Sequence, residues 1–221
     1  MPRRKETPTR SILPSQSRSA SKKTASNHVD PIDRLFQSYA NMSSGMIEPA
    51  GIEALCKDLN VHYADIRILI FAWKMKAETQ GFISKDEWRR GLQCLGVDPV
   101  TKLGSKIAGL KKEIMAPESF EDFYSYAFQY NLIDDKQRTI DINSACELLN
   151  IVLRPAFPIL VDLLVDYLKI QKDFRAVNRD QWTSFYHFFK KVNCVYLLSY
   201  DSSQGWPVII DNFVEWLRKK E

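Results

Sequence analysis

Histidine is scarce in this 221-residue chain, where only His28, His62 and His187 occur. Paired cysteines are missing too: Cys56, Cys94, Cys146 and Cys194 are widely spaced and form no Cys-x-x-Cys. There is no Gly-rich phosphate loop, no Gly-x-Ser-x-Gly elbow and no His-Glu-x-x-His. These gaps argue against nucleotide hydrolysis, serine hydrolysis and zinc chemistry, and no ligand cluster suggests another metal or a cofactor. His187 and Cys194 share a predicted helix, but seven residues put them about 10 Å apart along its axis, too far for a nucleophile and base. No apolar run approaches the roughly 20 residues that cross a bilayer. The N-terminus has no apolar signal core, and its Met-Pro start carries no myristoylation signal. The chain is expected to be soluble, intracellular and non-catalytic, acting by binding, with its cysteines reduced in the core.

Charge is present but unevenly placed. The whole chain carries +4, whereas residues 1–28 hold Arg3, Arg4, Lys5, Arg10, Arg18, Lys22 and Lys23 against Glu6 alone. The tail is therefore +6 and the remainder −2. Ile12 and Leu13 are the tail's only large apolar residues, too few to offset the entropy of ordering it, so residues 1–29 are expected to be disordered. Arg3, Arg4, Lys5, Lys22 and Lys23 are candidates for a nuclear-import signal, as readily as for a solvated tail; nucleus and cytoplasm both remain open. Nucleic-acid binding would rest on the tail alone, which makes it an unlikely partner class for the mildly acidic remainder.

From residue 30 the periodicity is helical. Asp30-Pro31 supplies a cap and an N1 proline. Ile52, Leu55, Cys56 and Leu59 follow i, i+3, i+4, i+7 spacing. Residues 64–76 are apolar nearly all round, which predicts a central helix. Ser84 to Glu87 reads as a capping box before Trp88, Leu92 and Leu95, with Gly96 as the stop. Asp98-Pro99 restarts the chain before Leu103, Ile107, Leu110 and Ile114. Pro117 opens an aromatic helix with Phe120, Phe123, Tyr124 and Phe128. Further helices fit 141–153, 158–171, 179–198 and 207–219, with Pro207 at N1 of the last. Strand alternation is lacking, so the class is all-α.

Two loops have the spacing of a calcium-binding helix–loop–helix without its ligands. Lys76 to Glu87 places Gly81 at position 6, Ile83 at 8 and Glu87 at 12, but Lys76 stands where the first carboxylate belongs. Ala40 to Gly51 repeats the pattern with Gly45 and Ile47, while Ala40, Met42 and Gly51 replace ligands. Ile47 and Ile83 would still pair the loops through a short ribbon. The expected first half is a tandem EF-hand-like pair that binds no metal.

The closing stretch Trp206-Pro207-Val208-Ile209-Ile210-Asp211-Asn212-Phe213-Val214-Glu215-Trp216 resembles the closing motif of the defective-in-cullin-neddylation family. Ile70 to Lys74 with Ala77 to Gln80 resembles that family's first-half motif, Phe120 to Phe128 its aromatic helix, and Asn178 to Trp182 its Asp-x-Trp motif. The likeness covers residues 31–218. It implies a two-lobed helical domain over 30–221, with an EF-hand-like half at about 30–115 and a helical bundle at about 116–221. It also implies a member without a ubiquitin-associated domain, whose place the basic tail takes.

The resemblance implies a monomeric scaffold-type ligase, with no catalytic residue of its own. It would bind a cullin together with the conjugating enzyme of a ubiquitin-like modifier and align them for cullin neddylation, catalysis by proximity. Two sites carry over. An apolar pocket for the acetylated N-terminal Met of the conjugating enzyme would use Ile52, Ile68, Phe71, Gln80, Gly81, Ile83, Tyr130, Leu148 and Ile151. Without the resemblance these aliphatic residues would read as plain core. A patch for the cullin's C-terminal winged-helix subdomain would use Asp180, Gly205 and Asp211; each acid also suits a helix N-terminus on dipole grounds alone. The chain departs from the family where Gly205 replaces a usual Ala, which is expected to remove a methyl contact and loosen the loop. Asp201-Ser202-Ser203-Gln204 stands where acids are usual, and Tyr130 and Leu148 stand where Phe and Tyr are frequent. An alternative of another class is an EF-hand-like adaptor that binds helical peptides without ligase activity.

Overall fold

The computed structural model describes residues 30–97, 102–114, 117–133, 136–192 and 200–220, the side chains of 117 and 118 excepted. The basic tail with its candidate import signal, Asp98-Pro99 and Cys194 lie outside these residues. Among the described residues the chain is mainly helical: α1 (Pro31–Tyr39), α2 (Pro49–Asp58), α3 (Ile66–Met75), α4 (Lys85–Cys94), α5 (Leu103–Ile114), α6 (Pro117–Tyr130), α7 (Ile142–Val152), α8 (Pro158–Ile170), α9 (Arg179–Val192) and α10 (Val208–Lys220). The all-α class holds. Two strands that periodicity did not reveal, β1 (Thr139–Asp141) and β2 (Ala176–Asn178), pair antiparallel with Ile140 opposite Val177. Three residues are too short a run for alternation to register.

Helix ends follow local chemistry. Asp30 accepts the Ile32 N–H ahead of Pro31. Ser84 and Glu87 form the reciprocal capping box. Pro207 is not the first residue of α10. It precedes the helix, and its carbonyl accepts the Ile210 N–H at 2.8 Å, so it works as the cap residue rather than at N1.

α1–loop–α2 and α3–loop–α4 meet where Ile47 and Ile83 exchange both backbone hydrogen bonds at 2.9 Å, each buried. Gly45 and Gly81 adopt φ of +68° and +82°, the sharp turn that position 6 requires. Residues at the ligand positions of these loops have structural roles. Lys76 ends α3 in the left-handed conformation. A Cβ on Gly51 would lie 2.2 Å from the Tyr39 carbonyl oxygen, so α1 and α2 approach as they do only because this residue is glycine. Glu87 accepts from the Glu78 and Ser84 N–H groups and so knits its own loop. The second half repeats the plan: β1 leads into α7, β2 leads into α9, and Ile140 and Val177 are buried like Ile47 and Ile83.

Asp33 is the single charged residue buried among those described. Arg89 grips it with hydrogen bonds of 2.7 and 2.6 Å, and Lys85 approaches to 3.0 Å, tying α1 to α4. Beside this pair, buried Trp88 donates from Nε1 to the Ile32 carbonyl at 3.1 Å. Helix α3 is central, packed on α4, α5 and α6. It is not buried all round, because Ile68 and Leu69 remain half exposed. Cys56 and Cys146 are buried as expected, but Cys94, in the last turn of α4, is exposed.

Helix α6 joins the halves, packing on α3 and α5 one way and on α7 and α9 the other. Tyr126 donates to the Ala77 carbonyl at 2.9 Å, and Trp73 donates to Asp122 at 2.8 Å. Tyr124 Oη donates to the Trp182 carbonyl at 2.8 Å while Trp182 Nε1 donates to the Tyr124 carbonyl at 2.9 Å. Their rings stack at 4.6 Å and 11°.

Two stability predictions follow from these contacts. Trp182→Ala should cost about 3–5 kcal/mol and Tyr124→Phe about 1 kcal/mol in urea unfolding, because the stack outweighs one hydroxyl; equal losses would contradict that ordering. The Arg89 hydrogen bond holds the Asp33 carboxyl below its ordinary 3.8 against the opposing effect of burial. A depressed carboxylate stabilises fully above its unfolded value, and the contribution disappears as pH falls through the folded one. Asp33→Asn should therefore lower stability at neutral pH, with the gap to the unaltered protein closing below about pH 4.

Candidate functional site

The nine residues expected to form a pocket all line one cleft. It lies between the halves and has a volume of about 580 Å³. Helix α2 contributes Ile52, α3 contributes Ile68 and Phe71, and the loop before α4 contributes Gln80, Gly81 and Ile83. From the far wall come Tyr130 at the end of α6 and Leu148 and Ile151 on α7. Phe71, Ile83, Tyr130 and Leu148 are buried, whereas Ile52, Ile68, Gly81 and Ile151 are half exposed and Gln80 is exposed. The wall is therefore apolar yet open to a ligand, which core side chains alone would not leave.

The α6 side of the cleft is held firmly. Tyr126 and Tyr130 stack at 5.3 Å and 18°. Burial pushes the Tyr130 phenol up, partly offset by the Gly81 backbone N–H, so it stays neutral in the physiological range. Gln80 Nε2 lies 3.4 Å from Asn131 Oδ1, a weak link across the two walls. Among the lining residues that sequence reasoning missed are Tyr63 and Ile133, which are 68% and 86% exposed. A lone aromatic or aliphatic residue in a loop carries no periodicity, so no sequence signal separated them from ordinary surface.

The three residues of the expected acidic patch sit on α9, on α10 and in the loop before α10. Asn178 and Gln181 cap α9 reciprocally: the Gln181 N–H donates to Asn178 Oδ1 at 2.8 Å and the Asn178 N–H to Gln181 Oε1 at 2.9 Å. The cap leaves Asp180 exposed in the first turn with no capping duty. Asp211, in the first turn of α10, is half buried, and Tyr200 Oη donates to its Oδ1 at 2.6 Å. Burial and that carboxylate push the Tyr200 phenol up to about 12. Tyr200 is a partner that sequence reasoning did not find.

Gly205 corrects one expectation. Its φ is +68°, and a Cβ there would have nothing within 4 Å. Glycine suits the left-handed turn better than alanine, so it firms this loop rather than loosening it, and no internal methyl contact is lost. Asp201 caps the short 3-10 turn Ser202–Gln204 by accepting from the Ser203 hydroxyl at 2.7 Å and the Ser203 N–H at 2.9 Å, and those bonds keep its carboxyl acidic. Trp206 meets Phe188 of α9 edge-on at 5.5 Å, fixing the loop against that helix. Asp180 stands eight residues earlier, about 12 Å along the α9 axis.

Among the described residues no group of His, Cys, Asp and Glu is arranged to hold a metal ion, and no helix is long and apolar enough to cross a membrane.

A family model described as cullin binding matches residues 102–216, which include α9, the Gly205 loop and most of α10. The human protein DCN1-like protein 5 is 35% identical over 186 residues, covering 84% of this chain and 76% of its own length. DCN1-like protein 4 of Drosophila melanogaster is 35% identical over 184 residues, covering 83% of this chain and 73% of its own. DCN1-like protein 4 of Danio rerio is 32% identical over 186 residues, covering 84% of this chain and 65% of its own. With a matching model over half its length and relatives of this similarity across most of it, the chain belongs to the DCN1-like, cullin-binding family.

Proposed function

We propose that this protein is a scaffold that holds a cullin and the conjugating enzyme of its ubiquitin-like modifier together, and so promotes cullin neddylation. The first half is read as a metal-free EF-hand-like pair whose Ile47–Ile83 bridge fixes one wall of the cleft. The observation that carries the reading is the cleft itself: nine residues scattered between 52 and 151 converge on one apolar recess between the halves. An acetylated N-terminal Met suits such a recess, because acetylation removes an ammonium whose burial would be costly. The cullin's C-terminal winged-helix subdomain would meet Asp180 and the Gly205–Asp211 segment. The protein would contribute proximity and orientation, the covalent chemistry staying with the conjugating enzyme. It would act as a monomer, in the nucleus, the cytoplasm or both.

Acetylated N-terminal peptides of the conjugating enzyme should bind at least about 10-fold more tightly than unmodified ones, a difference of about 1.4 kcal/mol, measured by calorimetry. Equal affinities would remove the pocket assignment. For the second site, Asp180→Ala is the cleaner substitution, since no hydrogen bond among the described residues depends on that side chain, whereas Asp211→Ala also strands Tyr200. Each should slow reconstituted cullin modification about 5-fold, the effect of losing about 1 kcal/mol of binding. An unchanged rate for both would sink the patch.

A further inference from the structure

Among the described residues the charged groups lining the cleft are four carboxylates, Glu53, Asp65, Asp141 and Glu147, with no lysine, arginine or histidine. Two of the four are engaged locally. Asp65 caps α3 and holds Arg67 through hydrogen bonds of 2.9 and 2.8 Å. Asp141 caps α7, accepting from the Asn143 and Ser144 N–H groups at 3.0 and 3.1 Å. Glu53 on α2 and Glu147 on α7 have no ionic or hydrogen-bonded partner among the described residues, and both are exposed. One belongs to each half of the molecule, so the two wall helices each present a free acid. The lining also includes the apolar Ile52, Phe71 and Leu148.

We infer that the cleft selects a segment of two-part chemistry, an uncharged apolar tip followed by basic residues, and that Glu53 and Glu147 read the basic part. This deepens the proposed reading of the cleft and rests on it. The apolar recess discriminates against a charged tip through desolvation. The two free carboxylates discriminate among the residues that follow, through attraction to lysine or arginine and repulsion of aspartate or glutamate. Both carboxylates stay hydrated, so each contact is weak and salt-sensitive, worth roughly 2- to 5-fold in affinity. Their combined effect is selectivity among peptides of equal apolar content rather than raw affinity. Glu53 and Glu147 are thus specificity residues, distinct from the nine that accommodate the tip.

The test uses the full chain and three acetylated twelve-residue peptides that begin with Met. They share leucines at helical spacing and differ only in placing Lys, Gln or Glu at the intervening positions. Binding is measured by fluorescence anisotropy at low salt and again near 0.5 M. The expected order at low salt is Lys tighter than Gln tighter than Glu, with the differences shrinking at high salt. In the Glu53→Gln, Glu147→Gln double variant the order should flatten while the Gln peptide binds as before; both sites are solvent-exposed, so folding should be undisturbed. Equal binding of all three peptides to the unaltered protein overturns the inference and leaves the pocket standing. So does a charge ranking that survives intact in the double variant. No measurable binding by any acetylated peptide overturns the pocket reading, and this inference with it.

Discussion

Everything in this molecule depends on how helix α6 fastens one half to the other. The cleft has walls from both halves, and a recess made that way keeps its shape only if the halves cannot rotate against each other. Tyr124 and Trp182 settle that on one side, by stacking and by each satisfying a backbone carbonyl of the other. Two turns of helix cover Asp122 to Tyr130, and within them Asp122 and Tyr126 reach back to Trp73 and Ala77. A single helix thus sets the position of Tyr130 at the cleft and, through Trp182, of α9 with Asp180 at its start. The two candidate sites share a mechanical origin although they lie on different elements.

Much of this was legible because it follows short-range rules. Caps such as Asp30 and Ser84, turns at Gly45 and Gly81, and the pairing of Ile47 with Ile83 each involve a few neighbouring residues whose chemistry admits one solution. The nine cleft residues were legible for another reason. On their own they read as ordinary core or loop residues, and only the family resemblance gathered them. What escaped were features defined across distance. Ile140 and Val177 mirror Ile47 and Ile83, but a three-residue strand carries no period, and the loops before them lack the paired glycines that flagged the first half. The Tyr200–Asp211 bond joins two residues whose types predict nothing about each other. Cys94 looked like core because its neighbours Leu92 and Leu95 are, yet one position on a helix is 100° of rotation, enough to turn the thiol to solvent.

The loops that follow α1 and α3 are held by contacts within the chain. In a metal-binding loop the ion fixes the angle between helices. Here other contacts do so: Glu87 binds loop N–H groups, Lys76 ends α3 in a left-handed turn, and Gly51 lets α2 press against the carbonyl end of α1. That suits a wall whose task is to hold a fixed recess.

Charge completes the argument. Beyond residue 28 the chain carries a net charge of −2, but its acids do not act alike. Asp33, Asp65, Asp141 and Asp201 are bound to groups of their own chain, where they cap helices and pin elements together. Asp211 is half engaged, its orientation set by Tyr200. Asp180, Glu53 and Glu147 have no such partner among the described residues. A carboxylate with an internal partner has already gained most of what a cation can offer, whereas a free one keeps that interaction available to another molecule. Sorting acids by engagement therefore separates those that build the fold from those that can recognise a partner. Of the free ones, Glu53 and Glu147 line the cleft and Asp180 stands at the start of α9, whereas Glu78, Asp86, Asp173 and Glu215 lie outside the cleft lining.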